Sequence, residues 1–113
     1  MKRKRPPAVV VTEEEAERLG RQFVEQHEDP EFARMAMQRL GAERHMLLNQ
    51  ALLERAARAG LRNARVRRPS PAVVAAYVRG LLAAVEGLPV MDQEVSNELL
   101  ARRDAAVRAR RGQ

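Results

Sequence analysis

The feature that most constrains this chain is an apolar segment, residues 70–87, whose two ends carry residues that start and stop α-helices. Ser70 is a favourable N-cap, and Pro71 suits the first helical position, where its missing N–H leaves no hydrogen bond unmade. Gly87 suits the position just past a helix end, and Pro89 prevents the helix from continuing. These signals predict one helix in this segment, around which the rest of the chain packs.

The predicted helix has two unlike faces. At about 100° per residue its large apolar side chains share one broad face, which other helices must cover, and we expect the core to include Val73, Val78, Leu81 and Leu82. The opposite face is mostly alanine. It allows either the close approach of a second backbone or a solvent-exposed surface, and we favour the exposed surface. With Arg79 and Gly80 at its centre, the helix is too short and too interrupted to cross a membrane.

Capping and spacing signals predict four more helices, at residues 12–28, 30–40, 42–59 and 92–111. The apolar residues of the third of these cover more than half of its circumference, which predicts a largely buried helix. The last helix has only a thin apolar stripe, so we expect its arginine-rich second half to project from the fold. The predicted fold class is all-α, a compact irregular bundle of about five helices that forms a single domain over residues 12–111.

Length and composition limit the possible classes of protein. A chain of 113 residues supports one domain with a modest core. It has no cysteine, which excludes disulfides and thiolate metal sites and fits a reducing compartment. No long apolar run follows the basic start before Glu13, so we expect a cytoplasmic protein without a secretory signal. The net charge of +6 comes almost wholly from arginine and favours a polyanion or an acidic protein as partner.

Two basic segments are candidate binding sites. Residues 1–11 are expected to form a flexible arm, whose basic side chains are Lys2, Arg3, Lys4 and Arg5. These side chains either bind a phosphate backbone or only increase solubility. Residues 61–69 contain no acid and four arginines, Arg62, Arg65, Arg67 and Arg68. This second cluster is either a phosphate-binding surface or an exposed linker between two helical halves. The helix predicted at residues 12–28 is acidic and can pair with basic surface elsewhere in the chain.

Residues 36–50 follow the order short helix, glycine-containing turn, longer helix, and resemble the helix-turn-helix class of DNA-binding proteins. The resemblance implies that Arg44 and Asn49, with their neighbours Glu43, His45 and Gln50, face a DNA groove, where Arg and Asn read base edges. A second resemblance, over residues 29–54, is to ribbon-helix-helix repressors. That family needs a strand directly before its first helix, where this sequence predicts a helix.

The sequence offers few groups for catalysis. His27 and His45 are the only histidines, neither has the spacing of a metal site, and no nucleotide-binding or nucleophile motif is present. We therefore predict no enzyme activity, no metal site and no cofactor. The leading hypothesis is a small basic bacterial or phage protein that binds nucleic acid, most plausibly duplex DNA. The alternative is a homo-oligomeric assembly or adaptor subunit, such as a phage structural protein, whose partner is another protein.

Overall fold

Residues 10–112 are described by a computed structural model, and they confirm the all-α bundle. Within this range five helices follow one another: α1 (Glu13–Glu25), α2 (Pro30–Ala42), α3 (Leu47–Asn63), α4 (Pro71–Ala83) and α5 (Gln93–Arg111). The first nine residues of the predicted arm, Lys2, Arg3, Lys4 and Arg5 among them, lie outside the described residues.

Side-chain caps at the helix starts follow the sequence signals. The side chains of Thr12, Asp29 and Ser70 each accept a hydrogen bond from the backbone N–H three residues later, at 3.1, 3.3 and 3.2 Å. α3 is different, because it begins at Leu47 rather than at residue 42 and has no side-chain cap. Residues 43–46 form a turn instead, in which the Met46 N–H donates to the Glu43 carbonyl at 3.0 Å.

The most extensive helix contact joins α1 and α4, whose backbones meet through two glycines. A Cβ atom on Gly80 would overlap the Glu17 carbonyl oxygen, and one on Gly20 would overlap the Tyr77 carbonyl oxygen. Ala76, fully buried, lies one turn before Gly80 on the same side of α4. The expectation that the alanine face is exposed is therefore wrong at Ala76, because α1 packs against this side of α4.

Tyr77 is the one large aromatic side chain buried in the described core. Its ring lies against Gly60 of α3, where a Cβ atom would overlap the phenol group. Burial raises the pKa of the Tyr77 hydroxyl to about 12. α3 and α4 thus pack through a glycine that leaves room for a ring. The surrounding core is completed by Val24, Met37, Leu53, Ala57, Leu61, Val66, Val74 and Leu81.

Burial differs from the sequence prediction at several positions. Leu81 is fully buried, as predicted, whereas Val73, Val78 and Leu82 are only partly buried against the core. Phe23 has the helical spacing of a core residue but is exposed, and its ring lies edge-on to the His27 ring, with the ring centroids 5.5 Å apart. The first half of α3 was expected to be buried, and it exposes Leu47, Leu48 and Leu52. No described helix covers that face.

α5 contacts α2 alone among the described helices; it buries Ser96 and Leu99, and two of its arginines contact residues at the start of α2. Arg102 Nη2 donates to both carboxylate oxygens of Asp29, at 2.9 and 3.0 Å. Arg103 lies over the Phe32 ring, 5.4 Å from its centroid, and its Nη1 atom is 3.5 Å from Glu28 Oε1. Beyond Arg103 most α5 side chains are exposed, which agrees with the expected projecting second half.

Asp29 caps α2 and also binds Arg102 of α5, and its ionisation makes the stability of the fold depend on pH. Desolvation raises its pKa, but the hydrogen bond from the Phe32 N–H and the charge of Arg102 outweigh it, so the pKa of Asp29 lies below its ordinary value of 3.8. Ionised Asp29 therefore makes its full contribution to stability at pH values above 3.8, and this contribution is lost as the pH falls through the lower pKa of the folded state.

We expect Asp29→Asn to keep the cap, since Asn is an equally good N-cap, while losing the ion pair. Urea unfolding between pH about 6 and 2 should show a weaker loss of stability with acid in this variant than in the parent. Asp29→Ala loses the cap as well and should be less stable than Asp29→Asn at neutral pH. Equal acid dependence in parent and Asp29→Asn would contradict the assignment.

Candidate nucleic-acid interface

Four arginines, two from the end of α3 and two from the loop that follows it, line one concavity. Arg58 and Arg62 lie four residues apart on α3 and therefore share a face. Arg67 and Arg68 return from the following loop, so that the four guanidinium-bearing side chains line a cavity of about 320 Å³ with Val66 and Pro69. We call this site the arginine concavity.

The turn that shapes the arginine concavity is a Schellman motif at the end of α3. The Val66 N–H donates to the Leu61 carbonyl and the Arg65 N–H to the Arg62 carbonyl, both at 2.9 Å. Val66 and Leu61 are both buried, which is the apolar contact that accompanies this motif. The motif fixes the direction of the loop and thereby the position of Arg67 and Arg68.

Two arginines of this loop have left-handed backbone conformations, Arg65 at φ 66° and Arg68 at φ 47°. Arg65 occupies the Schellman position that glycine normally fills, because an L side chain there is strained by about 1–2 kcal/mol. Residues held in such conformations concentrate at functional sites. The strain is thus located in the loop that brings the positive charges together.

We expect Arg65→Gly to stabilise the fold by about 0.5–1 kcal/mol, because glycine relieves the strain although it makes the unfolded chain more flexible. Urea unfolding would measure the change. Arg62→Gly is the matched control, since it removes the same charge from a helical position and should cost up to about 1 kcal/mol. Destabilisation of both variants by similar amounts would show that the left-handed turn carries no strain.

The arginine concavity has no carboxylate neighbour at ion-pair distance within the described part of the chain. The ion pairs of the described residues lie elsewhere: Glu13 pairs with Arg79, Glu28 with Arg103 and Asp29 with Arg102. The acidic segment of residues 12–29 thus pairs with α4 and α5 rather than with the arginine concavity. Glu54 and Arg58 have the four-residue spacing of a helical ion pair, but their charged atoms are not within 4.0 Å of each other.

A second cavity adjoins the arginine concavity, and Arg44 is one of the residues that line it. This cleft, of about 530 Å³, is lined by the polar side chains of Arg44, His45, Gln50, Glu54 and Arg58 and by apolar side chains of α3 and α4 such as Leu53 and Val78. Arg58 lines both cavities, so the cleft adjoins the arginine concavity; we call Arg44 and the arginine concavity together the basic strip, and Glu54 is the one carboxylate among the residues that line the two cavities. Arg58 is not among the site residues predicted from the sequence, because its spacing of four from Glu54 is also that of a helical ion pair. Its spacing of four from Arg62 is the sequence signal that places the two arginines on one face.

The other predicted site residues lie elsewhere. Arg65 does not line the arginine concavity. Asn49 is partly buried, and its Nδ2 atom donates to the Glu43 carbonyl at 3.0 Å, which holds the turn before α3. Arg44 and His45 fall within that turn rather than in the first turn of α3. Base reading by Arg44 and Asn49 therefore stays a prediction.

Comparison with protein families, curated proteins and solved structures finds no match to this chain. The ribbon-helix-helix interpretation fails on the fold, because α1 and a short loop occupy the place of the strand that family requires. Between residues 10 and 112, no helix is long and apolar enough to cross a membrane. The same residues contain no group of three His, Asp or Glu side chains that could hold a metal ion.

Proposed function

We propose that this chain binds the phosphate backbone of nucleic acid, most plausibly duplex DNA, through the arginine concavity. The observation that carries the proposal is the convergence of Arg58, Arg62, Arg67 and Arg68 on one cavity with no carboxylate of the described residues in ion-pair contact. Arginine binds phosphate through several planar N–H donors, so a cluster of this kind matches a polyanion.

The chemistry of the interface favours phosphate contacts over base stacking. Phe23, Phe32 and Tyr77 are the only aromatic residues, and none lines the arginine concavity. Stacking of unpaired bases on aromatic rings, common in single-strand binding, has no support at this site. We therefore propose a non-enzymatic, cytoplasmic protein whose affinity comes mainly from charge, with Arg44 extending the contact along the basic strip.

Titration of a fluorescent DNA duplex at increasing salt tests the proposal. Each arginine or lysine that neutralises a phosphate contributes about −0.9 to the slope of log affinity against log salt. We expect a slope of about −4 to −7 if the arginine concavity and the residues Lys2 to Arg5 both contribute. Deletion of residues 1–5 should make the slope shallower without abolishing binding. Absence of binding at low salt would refute the proposal.

A second candidate function is an assembly or adaptor subunit, and the exposed apolar side chains at the start of α3 favour it. Leu47 and Leu48 are 82% and 67% exposed. Exposed apolar patches commonly mark protein interfaces. This candidate predicts association with protein rather than with DNA, and the salt titration separates the two.

A further inference from the structure

The cleft between α3 and α4 is lined by one stripe of side chains from each helix. The four from α3 recur at three- and four-residue spacing and so share a helix face: Gln50, Leu53, Glu54 and Arg58. The five from α4 have the same spacing and are all apolar: Pro71, Val74, Ala75, Val78 and Leu82. We call these five residues the α4 stripe. The volume of the cleft, about 530 Å³, lies in the range of small-molecule sites, about 300–1,000 Å³.

The cleft is elongated along α4, with an arginine towards each end. Arg58 also lines the arginine concavity with Pro69, which shortly precedes α4, so Arg58 lies towards the amino-terminal end of that helix. Arg44 lies towards the opposite end, because it lines a further cavity together with Leu82. The α4 stripe between these ends is about 16 Å long at 1.5 Å per helical residue. A linear ligand therefore matches the shape of the cleft.

The charge along the cleft is uneven. Arg58 adjoins the other three arginines of the arginine concavity, so its end of the cleft is strongly positive. Glu54, one turn before Arg58 on α3, is the one carboxylate of the lining. An anionic group is thus attracted to the Arg58 end, while Glu54 repels a second negative charge farther along the cleft. This arrangement favours an anion with its single charge at one end.

We propose that the cleft binds an unbranched aliphatic monocarboxylate, with the carboxylate on Arg58 and the chain along the α4 stripe. A guanidinium group can donate two parallel N–H bonds to a carboxylate. The apolar lining consists of Leu, Val, Ala and Pro side chains, and it has no aromatic ring on which a planar ligand would stack. Leu53 and Val74 are each 3% exposed and form the apolar floor. Binding at this site does not require DNA, so its test contains none.

Calorimetric titration of the full chain with decanoate tests the proposal, and we expect one saturable site per chain. Each CH₂ group removed from water strengthens binding about fourfold, so octanoate should bind up to about 15-fold more weakly than decanoate. Decanol has the same chain without the charge. It should bind about tenfold more weakly than decanoate, because it lacks the charge-assisted hydrogen bonds to Arg58.

Arg58→Gln should weaken decanoate binding about tenfold and leave decanol binding unchanged. Arg55→Gln is the matched control, since Arg55 is exposed on α3 and does not line the cleft. It removes the same charge and should keep the affinity of the parent for both ligands. Equal weakening of decanoate binding in the two variants would overturn the proposal, because affinity would then follow net charge.

The chain is tested by Ala75→Glu, which places a carboxylate on the α4 stripe at an exposed helical position. It should weaken both ligands by more than about tenfold, with an unchanged circular-dichroism spectrum. Ala72→Glu is the control, because Ala72 is exposed on the same helix outside the cleft lining, and it should change neither affinity.

A further variant, Leu48→Lys, separates the cleft from the exposed apolar side chains at the start of α3 and should bind decanoate as the parent does. Loss of binding in Leu48→Lys with retention in Ala75→Glu would place the ligand on that exposed surface and overturn the proposal. Absence of saturable decanoate binding, or equal affinities of the parent for decanoate and decanol, would overturn it as well.

Discussion

Gly80→Ala should destabilise the fold by about 3 kcal/mol, although alanine is normally the better residue inside a helix by about 1 kcal/mol. The new Cβ atom would overlap the Glu17 carbonyl oxygen and lie 2.9 Å from the Arg21 backbone nitrogen. Both obstacles are backbone atoms, so no rotamer change can relieve the overlap. The two helices must separate, and their packed surfaces lose contact along the whole crossing.

Urea unfolding followed by circular dichroism measures this effect, and Gly112→Ala is the control. A Cβ atom at Gly112 would be 3.4 Å from the nearest atom, which is ordinary contact, so this variant should change stability by less than about 0.5 kcal/mol. Gly20→Ala should behave like Gly80→Ala, since its Cβ atom meets the Tyr77 carbonyl and the Leu81 nitrogen. A neutral or stabilising Gly80→Ala would show that the α1 and α4 backbones do not touch.

Leu81→Ala should cost about 2–5 kcal/mol, because it removes a fully buried side chain and leaves a cavity that the helices cannot close completely. The matched control is Leu88→Ala, since Leu88 is 42% exposed in the loop after α4 and should lose less than about 1 kcal/mol. Denaturant unfolding of the two variants gives the comparison. A loss below about 1 kcal/mol for Leu81→Ala would mean that α4 is not the centre of the core.

Local signals in the sequence were sufficient to locate most of the helices. The side chains of Thr12, Asp29 and Ser70 accept hydrogen bonds from backbone N–H groups only three residues later. Such short-range caps do not depend on the rest of the fold. α3 could not be placed as well, because Met46 provides no side-chain cap and the turn before it is held by Asn49 from within the helix. Apolar spacing alone extended the prediction back to residue 42.

The contacts between helices could not be predicted from the sequence, because they depend on which faces meet. Gly20 and Gly80 are 60 positions apart, and nothing in either local pattern indicates that their backbones touch. The width of an apolar face predicts burial only if enough partner surface exists. α3 keeps Leu47 and Leu48 exposed because the described chain supplies no helix to cover them.

The candidate site was predictable as a cluster but not as a concavity. The four arginines of residues 61–69 were evident from charge, and three of them line the cavity. The left-handed turn at Arg65 had no sequence signal, since the glycine that usually marks it is absent. Because of that turn, Arg67 and Arg68 line the same cavity as Arg58. From the sequence alone, residues 61–69 could equally have been an exposed linker.

Contact of the arginine concavity with nucleic-acid phosphates can be tested by the salt dependence of DNA binding in two triple variants. One variant replaces Arg62, Arg67 and Arg68 with alanine; the other replaces three exposed arginines outside the basic strip, Arg18, Arg21 and Arg39, and removes the same charge. We expect the slope of log affinity against log salt for duplex DNA to be shallower than the parent's by about 2–3 in the first variant and to change by less than about 1 in the second. Equal changes in the two variants would show that the arginine concavity is not the binding site, because affinity would then depend on net charge and not on these three arginines.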